Sequence, residues 1–197
     1  MNKLVTIVGA SGVGKTTLAK ALSGRGGIEL ALEQHDERPF QILFKQDPKF
    51  ALANQLDYLL YRAEQENRLR KQDKAAVMDG SLDLDFHGFT RLFHARGWLS
   101  DEEFNLCSRF YSLARTLLPP PDLVIALSAS AQTILERVAA RDRINIASGK
   151  DAELINKFLN EWLDTLPQNK ILRLDVSHEG VDYSDSVRTI LKRIEAG

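Results

Sequence analysis

A short glycine-rich stretch near the amino terminus carries the residues best suited to chemistry. It has the form G-x-x-x-x-G-K-[ST], and it reads Gly9, Ala10, Ser11, Gly12, Val13, Gly14, Lys15, Thr16, followed by Thr17. Glycines let the backbone turn its N–H groups inward around phosphate oxygens. An ammonium such as that of Lys15 suits the β- and γ-phosphates, and a hydroxyl such as that of Thr16 suits Mg²⁺.

The elements around this stretch are those that a phosphate-binding loop requires. The β-branched run of residues 4–8 predicts a strand, and residues 17–22 continue as a helix. A helix that begins directly behind the loop adds the positive end of its dipole. A glycine-rich turn that binds nothing is the alternative, and the strand and helix argue against it. The sequence therefore predicts a nucleoside triphosphate site.

A second apolar run ends in a carboxylate that could serve the same site. Residues 75–79, AAVMD, have the form of a strand that ends in a magnesium-binding aspartate, here Asp79. We expect Thr16 and Asp79 to hold the metal ion. A plain strand terminus is the alternative. Asp85 follows closely, and it could equally be the N-cap of the next helix.

Other charged residues lie at the ends of predicted elements. Glu33 follows a short predicted strand, and it could be a general base or a solvated loop acid. Arg137, Arg141 and Arg143 cluster at the end of a predicted helix. Three guanidiniums suit a transferring phosphoryl group, whereas the alternative is a favourable cation cluster at the negative end of the helix dipole.

One long helical pattern runs from residue 48 to about 73, with an apolar stripe along it. Gln55 and Arg62 are seven residues apart, so they project from nearly the same side of this helix. That side could face a ligand or water, and position alone favours water.

Composition excludes several classes of protein. The 197 residues are 44% hydrophobic, which suits a single domain over residues 1–197. Lysine and arginine number 26 against 27 acidic residues, so no basic field indicates a nucleic-acid or membrane partner. The only cysteine, Cys107, lies in a helical pattern and is expected in the core. The chain is interpreted as soluble and cytoplasmic, because no segment reaches 18 apolar residues.

Strand and helix patterns alternate along the chain in the order βαβαβααβααβα. This order predicts a doubly wound, three-layer α/β fold with a parallel sheet. Residues 137–150, which include the arginine cluster, are expected to form a mobile lid.

Taken together, these residues resemble the deoxynucleoside kinase family, within the nucleoside and nucleotide kinase branch of the P-loop nucleoside triphosphate hydrolase fold. The resemblance implies that Glu33 takes the proton of a sugar 5′-hydroxyl and that the arginines form the lid motif R-x-x-x-R-x-R. It also implies that Gln55, Arg62 and Asp85 bind the acceptor, with ATP and Mg²⁺ as cofactors. Residues Val176, Ser177 and His178 resemble the loop against which the adenine of ATP rests, and a homodimer packed through residues 48–73 and 101–118 is expected.

The chain departs from the family pattern at four places. Gly80 replaces the arginine of Glu-Arg-Ser, and Phe44 stands where a tyrosine would contact the sugar 3′-hydroxyl. Gln34 replaces the usual proline after Glu33, and no glutamate pair follows Arg143. Fewer partners for the 3′-hydroxyl should weaken discrimination for a 2′-deoxyribose.

The sequence thus predicts a kinase that moves the γ-phosphoryl group of ATP to the 5′-hydroxyl of a (deoxy)nucleoside. Two alternatives stay open at this stage. One is a kinase for another small acceptor, such as a nucleoside monophosphate. The other is a non-catalytic module that uses ATP occupancy as a switch.

Overall fold

A five-stranded parallel sheet forms the centre of the protein. The computed structural model describes residues 3–24, 27–31, 38–139 and 149–196. The strands are β1 (Leu4–Val8), β2 (Ile28–Ala31), β3 (Ala75–Asp79), β4 (Leu123–Ser128) and β5 (Ile171–Asp175). Their order across the sheet is β2-β3-β1-β4-β5, and every neighbouring pair is parallel. The predicted doubly wound α/β fold is confirmed.

Helices cover both faces of the sheet. Within the described residues the α-helices are α1 (Lys15–Ser23), α2 (Pro39–Gln46), α3 (Ala51–Arg70), α4 (Leu82–Leu84), α5 (Arg91–Ala95), α6 (Asp101–Leu117), α7 (Ala131–Ala139), α8 (Gly149–Leu163) and α9 (Ser184–Ala196). A π-helix, Asp85–Thr90, separates α4 from α5, and short 3₁₀ turns occupy Pro48–Phe50 and Gln168–Lys170. π-Helical segments are rare and often mark functional sites.

The strand order places the site. After β3 the chain crosses β1 to reach β4, so the topology reverses beside β1, where doubly wound sheets bind ligands. The parallel register pairs Ile7 with Asp79, and the Gly80 N–H donates to the Ile7 carbonyl at 3.0 Å. The glycine-rich loop after β1 and the carboxylate at the end of β3 are therefore neighbours.

The core lies on both faces of the sheet. On one face α1 and α9 pack against β1, β3 and β4 through a buried cluster that includes Leu18, Leu22, Val187 and Ile190. On the other face the buried cluster includes Phe93, Ile155, Leu159 and Trp162 from α5 and α8. Cys107 is fully buried, as predicted, and burial raises the pKa of its thiol to about 11.

The structure corrects two local predictions. The predicted helix over 48–73 is shorter, and it is preceded by α2, which the sequence analysis did not predict. Proline at the first position of α2 favours that helix start. Asp85 is not an N-cap: Ser81 caps α4, since its hydroxyl accepts a hydrogen bond from the Leu84 N–H at 3.0 Å.

Two further findings concern helices. Ser100 and Glu103 form a capping box at the start of α6, with hydrogen bonds of 2.8 and 3.2 Å in the two directions. Within the described residues no helix combines the length and the apolar character that a membrane span requires.

Candidate phosphoryl-transfer site

The glycine-rich loop is held in a left-handed conformation by packing from the far end of the chain. Gly14 has φ +109° and precedes α1. A Cβ atom at Gly14 would lie 1.9 Å from the hydroxyl of Tyr183, so a side chain there would have to displace that tyrosine. Lys15 directs its ammonium back onto the carbonyls of Gly9 and Ala10, at 3.0 Å each. The loop is thus shaped for phosphate, with its lysine folded over it.

Asp79 lies at the mouth of this loop. The Thr16 hydroxyl donates to Asp79 Oδ2 at 2.5 Å, and the carboxylate is completely buried. Its other oxygen, Oδ1, has no hydrogen-bond partner among the described residues. An ionised carboxylate oxygen buried without a partner is costly. A cation held between Thr16 and Asp79 would satisfy it, and oxygen ligands are those that Mg²⁺ prefers.

Arg137 bridges the two loops that the sequence assigned to ATP. One guanidinium nitrogen donates to the Val13 carbonyl at 2.7 Å, and the other donates to the Val176 carbonyl at 2.9 Å. The guanidinium also lies 5.7 Å from the centre of the Tyr183 ring. Arg137 is therefore at the phosphate loop, as the sequence predicted. Three other predicted site residues, Glu33, Arg141 and Arg143, lie outside the described residues.

The predicted adenine loop follows β5 directly. Val176 is buried, and its N–H donates to the Ser128 carbonyl at 2.8 Å. The Ser177 hydroxyl accepts from the Ser130 N–H at 2.8 Å, whereas His178 is exposed. This loop thus lies next to β4, on the same edge of the sheet as the phosphate loop.

A cavity of about 70 Å³, separate from the phosphate loop, opens between α2, α3 and the π-helix. Its lining residues are Gln41, Asn54, Gln55, Tyr58, Asp85, Phe89 and Phe93. Gln55 and Asp85, two of the predicted acceptor residues, thus share one cavity. The amide oxygen of Gln55 lies 2.9 Å from the Thr90 hydroxyl, which fixes the side chain in place. Gln55 is only 2% exposed, so the prediction that this side of the helix faces water is wrong.

Arg62 links the cavity to the phosphate loop. Its Nε donates to Asp85 Oδ2 at 2.9 Å, and its Nη1 donates to the main-chain oxygen of Asp79 at 3.1 Å. Nη1 also donates to Gln65 Oε1 at 3.0 Å. Arg62 is 1% exposed, and an ion pair so deeply buried is sensitive to the loss of either partner.

Gly80 has a structural reason to lack a side chain. It has φ +81°, and a Cβ atom there would lie 2.8 Å from Arg62 Nη2. Any side chain at position 80 would therefore meet the guanidinium of Arg62.

Phe44 lies behind the cavity rather than in it. Its ring stacks on Phe93 at 4.7 Å and meets Trp98 edge-on at 5.4 Å, and the side chain is 7% exposed. Phe44 is not among the residues that line the cavity. Its contact with an acceptor would therefore be indirect, through Phe93.

Sequence reasoning missed three features of this region. Asn54 lines the cavity, and its place beside Gln55 on one helix was the available signal. Tyr183 has no local signal, because it reaches Gly14 across the sheet. Asp83 accepts two hydrogen bonds from Arg115, at 2.9 and 2.7 Å, in a buried network that joins α4 to α6. That network supports the wall of the cavity rather than lining it.

A parallel sheet with a phosphate loop at its topological switch, a carboxylate beside the loop and a separate polar cavity defines a P-loop phosphotransferase. The model of the deoxynucleoside kinase family matches residues 5–196. The chain therefore belongs to that family, as the sequence resemblance predicted.

Curated relatives agree with this assignment. The chain is 25% identical over 200 residues to the deoxyadenosine/deoxycytidine kinase of Bacillus subtilis (strain 168), covering 98% of this chain and 92% of that protein. It is 29% identical over 140 residues to the deoxyadenosine kinase of Dictyostelium discoideum, covering 71% of this chain and 57% of that protein.

Solved structures share the fold. The deoxyadenosine kinase from M. mycoides, solved with dCMP and dCDP, superposes with a TM-score of 0.81 at 22% identity. The alignment covers 98% of this chain and all of that one. The same enzyme with bound dATP gives a TM-score of 0.80 at 21% identity, covering 97% and 98% of the two chains.

Proposed function

We propose that this protein transfers the γ-phosphoryl group of ATP to the 5′-hydroxyl of a deoxynucleoside. One observation carries the proposal. Arg62 donates both to the main chain of Asp79, beside the phosphate loop, and to Asp85, in the polar cavity. A single buried side chain therefore contacts both the triphosphate site and the adjoining polar cavity. A phosphotransferase with two substrates requires two such sites next to each other.

The donor half of the site is the loop from Gly9 to Thr17 together with residues 176–178. The loop amides and the positive end of α1 hold the phosphates, while the ammonium of Lys15 exchanges its carbonyl partners for phosphate oxygens. The adenine rests against residues 176–178. Arg137, with Arg141 and Arg143, supplies positive charge where negative charge develops on the transferred group.

Mg²⁺ fits the pair formed by Thr16 and Asp79. The unpartnered buried oxygen of Asp79 supports this choice, since a hard cation satisfies such an oxygen. When bound, the ion neutralises charge on the β- and γ-phosphates.

The acceptor half combines a general base, Glu33, with the cavity that binds the nucleobase. Glu33 accepts the proton of the acceptor hydroxyl as the phosphoryl group arrives. Gln55 and Asp85 bind the nucleobase, and Arg62 holds the Asp85 carboxylate in place through their ion pair. The Glu33→Gln variant tests the role of Glu33 as general base directly, and its turnover should fall by about 10²-fold or more. Turnover within a few-fold of the parent would reject Glu33 as the proton acceptor.

The function is tested by incubating the purified protein with ATP, Mg²⁺ and single acceptors, and by reading the products by mass. The panel contains the deoxynucleosides, the ribonucleosides and their monophosphates. We expect monophosphate products from deoxynucleosides, and none from the Lys15→Met variant. Diphosphates made only from monophosphates would favour the nucleoside monophosphate kinase instead. ATP binding without acceptor-stimulated ADP release would favour the non-catalytic switch.

The cytoplasm is the expected setting for this reaction. Cys107 is the chain's only cysteine, and it is buried as a free thiol, which suits a reducing compartment.

A homodimer is also part of the proposal. A groove of about 310 Å³ lies between α3 and α6, and it is predominantly apolar. Of the residues that line it, Leu60, Leu113 and Leu117 are 48%, 60% and 72% exposed. Several large apolar side chains exposed together on two adjacent helices mark an interaction surface. A second copy of the chain can cover both helices at once, because a twofold interface pairs a patch with itself.

Sedimentation equilibrium tests the dimer. The Leu117→Glu variant places a charge in the middle of the apolar surface and should shift the protein to monomer. Val181→Glu is the matched control, since Val181 is 89% exposed and outside the groove. A monomeric parent protein would contradict the proposal.

A further inference from the structure

Asn54 lines the acceptor cavity and carries an amide oxygen without a hydrogen-bond partner among the described residues. It lies on α3, one residue before Gln55, and it lines the cavity that Asp85 also lines. The residue is 2% exposed, and within the described part of the chain its Oδ1 accepts no hydrogen bond. A buried amide oxygen without a partner is costly to the folded protein. Such an atom at a ligand cavity indicates a partner that arrives with the ligand.

The position of Asn54 along α3 indicates which part of the acceptor it meets. Arg62, on the same helix, contacts the main chain of Asp79 beside the phosphate loop. Asn54 is eight residues earlier, which corresponds to about 12 Å along the helix axis. Asn54 therefore lies at the end of the acceptor site that is remote from the phosphates. The reacting hydroxyl lies near the phosphates, so the base is the part that reaches Asn54.

The chemistry of the cavity indicates which bases fit. Asn54 Oδ1 accepts but cannot donate, and the carboxylate of Asp85, paired with Arg62, also only accepts. Two acceptor groups on residues that line one cavity favour a ligand that brings donors. The exocyclic amino groups of adenine, on C6, and of cytosine, on C4, are such donors, whereas hypoxanthine and uracil carry at the same ring positions a carbonyl, which only accepts.

On the basis of the proposed function, we propose that Asn54 is a specificity-determining residue of the acceptor site. Its Oδ1 accepts a hydrogen bond from the exocyclic amino group of the base. A base with a carbonyl in that position leaves two acceptors facing each other, which is the arrangement that lets a polar site reject an analogue.

The test compares amino and keto nucleosides of the same shape. Values of kcat/KM are measured for deoxyadenosine against deoxyinosine and for deoxycytidine against deoxyuridine, with the parent protein and Asn54→Leu. We expect the parent to prefer the amino member of the pair that it accepts. Asn54→Leu should lower kcat/KM for that amino nucleoside by about 10-fold and leave the keto nucleoside nearly unchanged.

The melting temperature separates this role from a structural one. Leucine has the same branching as asparagine, with bulkier methyl groups, and carries no unpaired polar atom, so Asn54→Leu should melt within a few degrees of the parent. A lower melting temperature with equal loss of activity on both members of each pair would show a structural residue and overturn the inference.

A control variant, Asn105→Leu, and the activity of the parent protein distinguish the possible outcomes. Asn105→Leu makes the same chemical change at an exposed position of α6 and should leave the amino-to-keto ratio unchanged. If Asn54→Leu had the same ratio of kcat/KM for amino over keto nucleosides as the parent, this inference would be overturned and the proposed function would stand. Absence of activity of the parent on every nucleoside would overturn the proposed function, and this inference with it.

Discussion

The guanidinium of Arg62 occupies the space that a side chain at position 80 would need. A Cβ atom on Gly80 would lie 2.8 Å from Nη2 and 3.3 Å from Cζ of Arg62. The two residues are 18 positions apart and belong to α3 and to the segment after β3. Because Gly80 has no side chain, Arg62 can be buried between Asp79 and Asp85 and join the two halves of the site.

Replacing Gly80 by alanine should damage both stability and catalysis. The methyl group must displace Arg62, and alanine is strained at φ +81°. We expect Gly80→Ala to lose about 2–4 kcal/mol in urea denaturation, together with at least a tenfold loss in kcat/KM for the acceptor.

Gly97→Ala is the matched control for backbone strain. Gly97 has φ +69°, but a Cβ atom there meets nothing within 4 Å. That variant should lose only about 1 kcal/mol and keep its activity. Equal losses in the two variants would show that the contact with Arg62 is unimportant.

The Asp79→Asn substitution tests the metal site. The amide keeps the size of the side chain but removes the charge that attracts the cation. We expect the Mg²⁺ concentration for half-maximal activity to rise at least tenfold, while kcat falls by about 10²-fold. A magnesium titration of the kinase reaction measures both.

Asp73→Asn serves as the control, because Asp73 is exposed and lies before β3. Its magnesium dependence should match that of the parent. If Asp79→Asn also matched the parent, Asp79 would have to be withdrawn as a metal ligand.

His87 should make the protein sensitive to acid. Burial, assisted by the charges of Arg91 and Arg115, lowers the pKa of His87 to about 4. The unfolded chain binds this proton near pH 6.5, so the stability due to neutral His87 is complete above pH 6.5. It is lost as the pH falls towards 4, by up to about 3 kcal/mol.

His87→Phe isolates this contribution. The phenylalanine keeps an aromatic ring against Trp162, on which the imidazole stacks at 5.2 Å, but it cannot be protonated. Urea denaturation at several pH values should give a smaller loss of stability between pH 6.5 and 4 for His87→Phe than for the parent. Parallel curves for the two proteins over that range would refute the prediction.

Arg115 should be essential to the packing of α6. It donates to Asp83 and to the fully buried carboxylate of Glu66. Arg115→Met leaves Asp83 without its cation, and a buried charge that loses its partner costs about 3–5 kcal/mol. Arg109→Met makes the same change at an exposed position of α6 and should change stability by less than about 0.5 kcal/mol. Chemical denaturation compares the two, and similar values would show that the network contributes little.

Much of the fold and the donor half of the site followed from local patterns. The loop from Gly9 to Thr16 is defined by residue types at fixed spacing, because a backbone that cradles phosphate needs glycines at particular steps. Asp79 was predicted because a strand that ends in a carboxylate belongs beside that loop in a parallel sheet. Both predictions depend only on short stretches of chain. Helix α2 was missed, since its eight residues are fewer than the stretch over which a helical period is reliably recognised.

The acceptor half depends on contacts between distant segments. The sequence by itself determined the phosphate loop, the parallel sheet and the family. Only the tertiary structure decided that Arg62 is buried against Gly80, that Tyr183 packs against Gly14, and that the oxygen of Asn54 finds no partner in the described part of the chain. Burial and hydrogen-bond satisfaction are properties of the packed chain, because they are decided by which segments meet, and no local spacing of residues specifies that.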